Sequence, residues 1–189
     1  MYYYIMPIQT PICDFGQKAH DFELKSTDSK IVSLNDVKGK NGTLIMFICN
    51  HCPYVKAITK EIVEDCNELK KLGINTVAIC ANDAENYPED SFDNMVEFAK
   101  NNKFNFPYLH DETQEIAKIY DAVCTPDFFG YNKNLELHYR GRLRELKNFI
   151  PVKDGESDLF KAMKQIGETN KGPQNQIPSA GCGIKWKIN

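Results

Sequence analysis

The run TLIMFICNHCPYVKAITKEIVEDC, residues 43–66, joins a short apolar stretch to a periodic, charged stretch through two cysteines. The apolar stretch, residues 43–49, has the length and continuity of a strand that is buried on both faces of a sheet. From Pro53, a residue favoured in a first helical turn, apolar side chains recur at steps of three or four, which predicts an amphipathic helix. Cys49 and Cys52 therefore stand where a buried strand passes into a helix.

The rest of the chain alternates the same two patterns. A second apolar run, residues 75–80, predicts another buried strand, and residues 91–102 and 155–168 predict amphipathic helices. Residues 125–143 contain two apolar segments around a turn at 132–134, which predicts an antiparallel hairpin. Together these patterns predict an α/β fold: a central mixed β-sheet with helices on both faces, an N-terminal hairpin extension and an irregular C-terminal tail.

Chain length and charge limit the function classes. A chain of 189 residues suits one domain, and we expect a single domain over residues 1–189, with its core at about 16–168 and its tail at about 169–189. A net charge of −3 gives no basic surface that would attract nucleic acid. The sequence therefore argues against a nucleic-acid partner.

The same reasoning bears on localisation. No run of eighteen apolar residues occurs, and the first residues lack a positive region ahead of Pro7, so we expect neither a membrane span nor a signal peptide. The seven cysteines are an odd and scattered set, unlike the dense spacing of a disulfide-stapled secreted domain. We therefore expect a soluble, cytoplasmic protein whose thiols are mostly free.

A C-x-x-C pair at the start of a helix suits electron exchange. Cys49 is expected where unpaired backbone N–H groups and the positive end of the helix dipole lower the pKa of a thiol. Cys49 would then be the nucleophile, and Cys52 would attack a mixed disulfide formed at Cys49. His51, when protonated, would add positive charge beside the Cys49 thiolate and stabilise the reduced pair.

Several motifs resemble those of the thioredoxin-like superfamily, in particular the peroxiredoxin-like proteins of the AhpC/TSA type. GQKAHDFEL (16–24) is similar to a peroxiredoxin entry segment, TLIMFICNHCPYVKA (43–57) to the redox strand-loop-helix, and CTPDFFGYNKN (124–134) to the threonine-proline loop and its hairpin. NHCPYVKA and the terminal GCGIKWK (181–187) resemble a peroxiredoxin-like subgroup that keeps a C-x-x-C pair. The resemblance implies a thioredoxin-like fold and thiol-based redox chemistry.

The resemblance also implies roles for the Thr125-Pro126 loop. It implies a cis peptide bond before Pro126 that faces the dithiol, with the backbone at Thr125 pairing with extended substrate segments. The peroxidatic pattern P-x-x-x-T-x-x-C, aligned on Cys52, requires Pro at 45 and Thr at 49, where this chain has Ile45 and Cys49. We therefore carry over the disulfide chemistry and not the peroxidase activity.

Three functions stay open at this point. The first is a thiol-disulfide oxidoreductase that uses the Cys49/Cys52 dithiol, with Thr125 and Pro126 positioning the partner. The second is a thiol-dependent peroxidase in which a hydroperoxide oxidises Cys52 and either Cys49 or Cys182 resolves the sulfenic acid. The third is a metal or iron–sulfur carrier, or a redox-sensing module, without turnover.

Two more cysteines are candidate resolving or accessory thiols: Cys182 in the glycine-flanked tail, and Cys124 before the Thr-Pro loop. A tetrahedral metal site needs four ligands, and no second C-x-x-C occurs, although His51, Cys124 or Cys182 could complete a site. We predict no metal and no organic cofactor. The expected partners are a disulfide-containing protein or small thiol substrate and a thiol electron donor, and the oligomeric state stays open, with a homodimer as one option.

Overall fold

A computed structural model of the protein describes residues 7–188; the first six residues, on which part of the argument against a signal peptide rested, and Asn189 lie outside the described residues. The helices are α1 Leu34–Val37, α2 Pro53–Lys71, α3 Phe92–Asn101, α4 Glu115–Ile119 and α5 Asp158–Thr169. The strands are β1 Ile8–Gln9, β2 Glu23–Ser26, β3 Ile31–Ser33, β4 Gly42–Phe47, β5 Ile74–Cys80, β6 Tyr108–His110, β7 Cys124–Thr125, β8 Asp127–Asn132, β9 Leu137–Tyr139, β10 Leu146–Lys147, β11 Ile150–Pro151 and β12 Ala180–Gly183. None of the helices within residues 7–188 is both long and apolar enough to cross a lipid bilayer.

Seven strands of the described chain form the central sheet, in the order β3-β2-β6-β5-β4-β8-β9. β4 lies inside this sheet, where it pairs in parallel with β5 and antiparallel with β8. β5 also pairs in parallel with β6, while the pairs β2–β3, β2–β6 and β8–β9 are antiparallel. The predicted mixed sheet, the N-terminal hairpin and the hairpin of β8 and β9 are thus confirmed.

Helices cover both faces of the central sheet, which explains why β4 is apolar along almost its whole length. Leu44 and Met46 pack on one face in a cluster with side chains of α2, α3 and α5. Ile45 and Phe47 pack on the other face, with side chains of α1 and α4. Because neighbouring residues of a strand point to opposite faces, a strand between two helical layers needs apolar residues at every position.

Helix α2 carries the cysteine pair into this core. It begins at Pro53, directly after Cys52 at the N-cap position, and the chain turns away from it at Gly73, which has a φ of 74°. Its buried apolar residues follow the predicted helical spacing: Val55, Ile58, Ile62, Cys66 and Leu69. The helix is therefore anchored along one side, and its N-terminus is held against the end of β4.

The C-terminal tail contains a strand that the sequence did not predict. Residues 170–179 have no helix or strand, as expected, but β12 follows them and pairs with β1 and β7, outside the central sheet. Ala180 and Cys182 are the non-glycine residues of this strand, and glycine-rich segments have little preference for strand structure. The strand therefore depends on its partners rather than on local propensity.

Two leucines of the same helical segment test this packing. Leu69 is 0% exposed, whereas Leu72, the C-cap of α2, is 38% exposed. We expect Leu69→Ala to lower the free energy of unfolding by ~2–5 kcal/mol, because it leaves a cavity in the core. Leu72→Ala should change it by less than ~1 kcal/mol. Urea unfolding followed by circular dichroism measures both, and equal losses would contradict the burial of Leu69.

Candidate active site

The cysteine pair lies where the carboxyl ends of two parallel strands meet. The segment 48–52 leaves β4, and the segment 81–90 leaves β5 and ends in a 3-10 helix at Pro88–Asp90. Loops that leave adjacent parallel strands at their carboxyl ends share one edge of the sheet, where sites form in α/β folds. The Thr125–Pro126 peptide bond is cis, as the resemblance implied, and Thr125 contacts both cysteine sulfurs.

Cys52 is fully buried at the N-cap of α2, and donors surround its sulfur. Hydrogen bonds from the thiols of Cys182 and then Cys49 outweigh the effect of burial and lower the pKa of Cys52 below that of an ordinary thiol. The backbone N–H of Val55 also approaches the sulfur, without closing a capping hydrogen bond, and lowers the pKa further. The neutral thiol donates to the carbonyl oxygen of Thr125 at 3.1 Å, which opposes ionisation, but the donors outnumber this acceptor.

Cys49 has the opposite electrostatic environment. Its sulfur lies 3.3 Å from Oγ1 of Thr125 and is buried. The hydrogen bond that it donates to Cys52, burial and the nearby Asp90 carboxylate raise the pKa of Cys49. The pKa of Cys49 is thus raised and not lowered as expected, and its role as the nucleophile stays a prediction. Because α2 starts at Pro53, its free N–H groups reach Cys52 instead.

Asp90 is a buried carboxylate that holds the loop between the two cysteines. Its Oδ1 accepts from the backbone N–H of Asn50 at 2.7 Å, and its Oδ2 accepts from Asn82 at 2.7 Å and from His51 at 2.6 Å. Burial raises the pKa of Asp90, but the hydrogen bonds from His51 and Asn82 outweigh it, and the pKa lies below its usual value. A buried carboxylate stays ionised when its oxygens are paired in this way.

His51 pairs with Asp90 and stacks on Tyr87. The two rings are 5.8 Å apart between centroids and 6° from parallel. The hydrogen bond to Asp90 raises the pKa of His51 in spite of partial burial. A protonated His51 therefore brings its positive charge to the site together with the negative charge of Asp90. Since Asp90 itself raises the pKa of Cys49, the predicted stabilisation of a Cys49 thiolate by His51 is offset.

The backbone at Thr125 is already paired with the chain's own tail. Cys182 of β12 stands opposite Thr125 of β7 in an antiparallel ladder. The hydroxyl of Ser179 also donates to the carbonyl oxygen of Pro126 at 2.8 Å. The backbone that the resemblance assigned to pairing with extended substrate segments is thus paired with β12 in this structure.

The two candidate accessory thiols differ in position. Cys182 is buried and joins the pair, since the hydrogen bond that it donates to Cys52 is the leading cause of its raised pKa. Cys124 is also buried, but its Sγ lies 3.7 Å from the carbonyl oxygen of Pro126, and burial raises its pKa. The site therefore groups Cys49, Cys52 and Cys182 around Thr125, and Cys124 lies beside this group, since Cys52 contributes to its raised pKa.

Sequence reasoning missed the polar residues that brace the cysteine loop. Asp90 and Asn82 follow β5, and Asn50, whose Oδ1 accepts from the hydroxyl of Tyr108 at 2.9 Å, lies between the cysteines. The sequence did contain a clue to these residues. It predicted two buried strands, now β4 and β5, and the loops that follow neighbouring parallel strands lie close together. Polar residues after the second strand could therefore have been assigned to the site of the first.

Cys49, His51 and Asp90 offer ligand atoms that lie within 4.8 Å of one another. A structural zinc site takes four protein ligands, and the residues that the structure describes offer three here. The Oδ2 atom of Asp90 also accepts two hydrogen bonds already. The donor set thus fits proton and electron exchange better than a closed metal site.

Known proteins resemble this chain along most of its length. Residues 15–146 match the AhpC/TSA family. Peroxiredoxin Q, chloroplastic, of Triticum aestivum is 26% identical over 163 residues, and the match covers 85% of this chain and 66% of that protein's length. A crystal structure of an uncharacterized conserved protein from Geobacillus kaustophilus is 44% identical over 97% of both chains, with a TM-score of 0.91. The thioredoxin domain of a thiol-disulfide oxidoreductase from Bacteroides vulgatus, 17% identical, has a TM-score of 0.57 over 67% of this chain and 86% of that chain.

The fold is that of a thioredoxin-like protein, with a pair of cysteines between β4 and α2. The chain belongs to the AhpC/TSA family and is a peroxiredoxin-like member of the thioredoxin superfamily. Membership supports oxidoreductase activity of the redoxin type in general. The family match ends at residue 146, so the tail with β12 and Cys182 has to be explained from this chain itself.

The pairing of His51 with Asp90 can be tested by titration. Asp90→Asn removes the charge that stabilises the protonated ring, so we expect the pKa of His51 to fall in this variant. NMR titration of the imidazole protons measures the change. His110 is an internal control, since burial lowers its pKa and Asp90 is not among its partners. An unchanged pKa of His51 would contradict the pairing.

Proposed function

We propose that the protein is a thiol-disulfide oxidoreductase in which Cys52 is the nucleophile and Cys49 resolves the mixed disulfide. The observation that carries this assignment is the convergence of donors on the Cys52 sulfur at the N-terminus of α2. A thiolate, and not a thiol, attacks disulfides, so the sulfur that ionises first reacts first. The two roles are thus the reverse of those expected from the order of the cysteines along the chain.

The reaction runs in two exchanges. The Cys52 thiolate attacks one sulfur of a substrate disulfide, forms a mixed disulfide and releases the other substrate sulfur as a thiolate, which takes up a proton from water. Cys49 then loses its proton and attacks the Cys52 sulfur. This step forms the Cys49–Cys52 disulfide and releases the second substrate thiolate. An external thiol donor reduces the pair again.

The raised pKa of Cys49 delays the second exchange until the substrate is bound to Cys52. The leading cause of its raised pKa is the hydrogen bond that it donates to Cys52. Once Cys52 is part of a mixed disulfide, its negative charge is gone, and this cause is removed. Cys49 therefore ionises more readily after the substrate is bound than before it. Before that, Cys49 stays protonated, so it does not compete with Cys52 for the substrate disulfide.

Variants that keep one thiol of the group test the assignment. Cys49→Ser/Cys182→Ser leaves Cys52, and Cys52→Ser/Cys182→Ser leaves Cys49, in otherwise identical chains. With oxidised glutathione at neutral pH, we expect Cys52 to take up glutathione ~10-fold faster than Cys49, since one pKa unit changes the thiolate fraction about tenfold. The difference persists without the other thiols because the Val55 N–H still lowers the pKa of Cys52 and Asp90 still raises the pKa of Cys49. Mass spectrometry of the quenched protein measures the rates. Faster uptake by Cys49 would overturn the assignment.

A second candidate, a thiol-dependent peroxidase, is favoured by the position of the ionised sulfur. Cys52, which has the lowered pKa, corresponds to the cysteine of the pattern P-x-x-x-T-x-x-C, and a relative bears the name peroxiredoxin Q. In this reaction Cys52 attacks a hydroperoxide, becomes a sulfenic acid and releases an alcohol or water. Cys49 then displaces water and forms the disulfide. Cys49 stands where that pattern has threonine, so the hydroxyl contact of the pattern is missing.

Peroxide consumption separates the two candidates. If peroxide is turned over, wild-type protein with dithiothreitol consumes hydrogen peroxide, Cys52→Ser loses this activity, and a sulfenic acid on Cys52 can be trapped with dimedone in Cys49→Ser/Cys182→Ser. We expect this turnover to be slower than disulfide exchange, because the threonine hydroxyl is replaced by a thiol. Peroxide turnover faster than exchange would make the peroxidase the better assignment. In either case we propose a thiol donor in the cytoplasm, where such donors return oxidised cysteines to the thiol form.

A further inference from the structure

Cys52 is the common neighbour of two other sulfurs. Cys182 stands opposite Thr125 in the antiparallel ladder, and Thr125 contacts the sulfurs of both Cys52 and Cys49. Cys49 and Cys182 each lower the pKa of Cys52. In thiol–disulfide exchange, the attacked sulfur lies between the attacking sulfur and the leaving sulfur. The three cysteines are thus grouped around Thr125, at the sulfur where such an exchange would take place.

The tail that carries Cys182 is built to approach the dithiol closely. At Gly181, a Cβ atom would lie 2.0 Å from the carbonyl oxygen of Thr125, so this position admits glycine alone. Thr125 faces Cys182 in the ladder, and its carbonyl oxygen is also 3.1 Å from the Cys52 sulfur. The absence of a side chain at Gly181 therefore lets the strand bring Cys182 to the sulfur pair.

Side chains from the central fold fix the chain just after Cys182. Asn82 accepts from the backbone N–H of Lys185 at 2.9 Å, and the backbone N–H of Asp83 donates to the carbonyl oxygen of Lys185 at 2.8 Å. The side chain of Gln114 donates to the same carbonyl oxygen at 2.9 Å and accepts from the N–H of Lys187 at 2.8 Å. Since Asn82 also binds Asp90, the tail and the cysteine loop are held by one polar network.

We propose that Cys182 is a third redox thiol, which takes over the disulfide from the Cys49–Cys52 pair by forming a Cys52–Cys182 disulfide. This inference rests on the proposed function, since it needs the disulfide that the dithiol acquires from its substrate. The tail strand is then an internal partner of the dithiol, held at the backbone edge of Thr125 where an external segment would otherwise pair.

The transfer is balanced without a further oxidant. Cys182 gives up its thiol proton and attacks the Cys52 sulfur, so that the Cys52–Cys182 bond forms and the Cys49–Cys52 bond breaks. Cys49 leaves as a thiolate and takes up the proton. An external thiol then attacks the sulfur of Cys182, and a second thiol releases it, which returns Cys52 and Cys182 to the reduced state and oxidises the two external thiols to a disulfide. Cys182 is 6% exposed and Cys52 is 0% exposed, so Cys182 is the more accessible of the two.

Disulfide mapping in Cys49→Ser tests the proposal. This variant is treated with oxidised glutathione, quenched by alkylation, digested without reduction and analysed by mass spectrometry. We expect a peptide pair linked through Cys52 and Cys182, and loss of the glutathione first bound to Cys52. The matched variant Cys49→Ser/Cys182→Ser should keep that glutathione, and Cys49→Ser/Cys124→Ser should still form the link.

Each other outcome counts against the proposal. If Cys49→Ser keeps glutathione on Cys52 and forms no link, Cys182 is not a redox partner, although the role of Cys52 stands. If Cys52 takes up no glutathione in any of these variants, the proposed function fails as well. A disulfide between Cys52 and Cys124 in place of Cys182 would overturn the proposal for Cys182.

Two glycines of the tail strand provide a second test, in which Cys52 and Cys182 are both kept. In the Cys49→Ser background, Gly181→Ala should lose the Cys52–Cys182 link, because its Cβ collides with the backbone of Thr125. Gly183→Ala should keep it, since the Cβ there meets the flexible end of Ile8. With Cys49 present, Gly181→Ala should still form the Cys49–Cys52 disulfide, which shows that the site is folded. If Gly181→Ala formed the Cys52–Cys182 disulfide as fully as the Cys49→Ser parent, the position of β12 would not be the cause of that disulfide.

Discussion

The sulfur of Cys52 lies at the N-terminus of α2, where backbone N–H groups and two thiols approach it from different sides. Burial alone would keep this sulfur protonated, so its ionisation depends on those donors. Pro53 has no N–H of its own, and Val55 supplies one of the first free amide donors of the helix. The thiols of Cys182 and Cys49, together with the first amides of the helix, thus favour ionisation of Cys52.

The buried carboxylate of Asp90 acts on the other side of the pair. It raises the pKa of Cys49, while the donors around Cys52 lower the pKa of Cys52. Two chemically identical groups whose environments separate their pKa values can take different roles in one reaction. The same carboxylate anchors Asn50 and His51, so it fixes the position of the loop as well as its electrostatics. Removing its charge would affect both.

The strands and helices near the cysteines follow from local patterns, and the sequence predicted them correctly. The apolar continuity of β4, the spacing of α2 and the Thr125-Pro126 dipeptide each carry their structure in neighbouring residues. The start of α2 at Pro53 was also predicted, but nothing local in the sequence showed that Cys182 approaches Cys52, and which cysteine is the nucleophile stays a prediction. The pairing of β12 depends on residues more than fifty positions away. No local pattern encodes a contact of that kind.

The tail covers the site without being part of the central sheet. β12 pairs with β1 and β7, and the order of the central strands does not include it. Its removal would therefore break no pairing of β4 with β5 or β8, on which the core depends. Cys182 nevertheless packs in the same core cluster as Cys49 and Cys52, so the strand is held against the sulfurs by packing as well as by its pairing. The strand that supplies the third thiol of our proposal is thus also the strand that limits what can approach the other two.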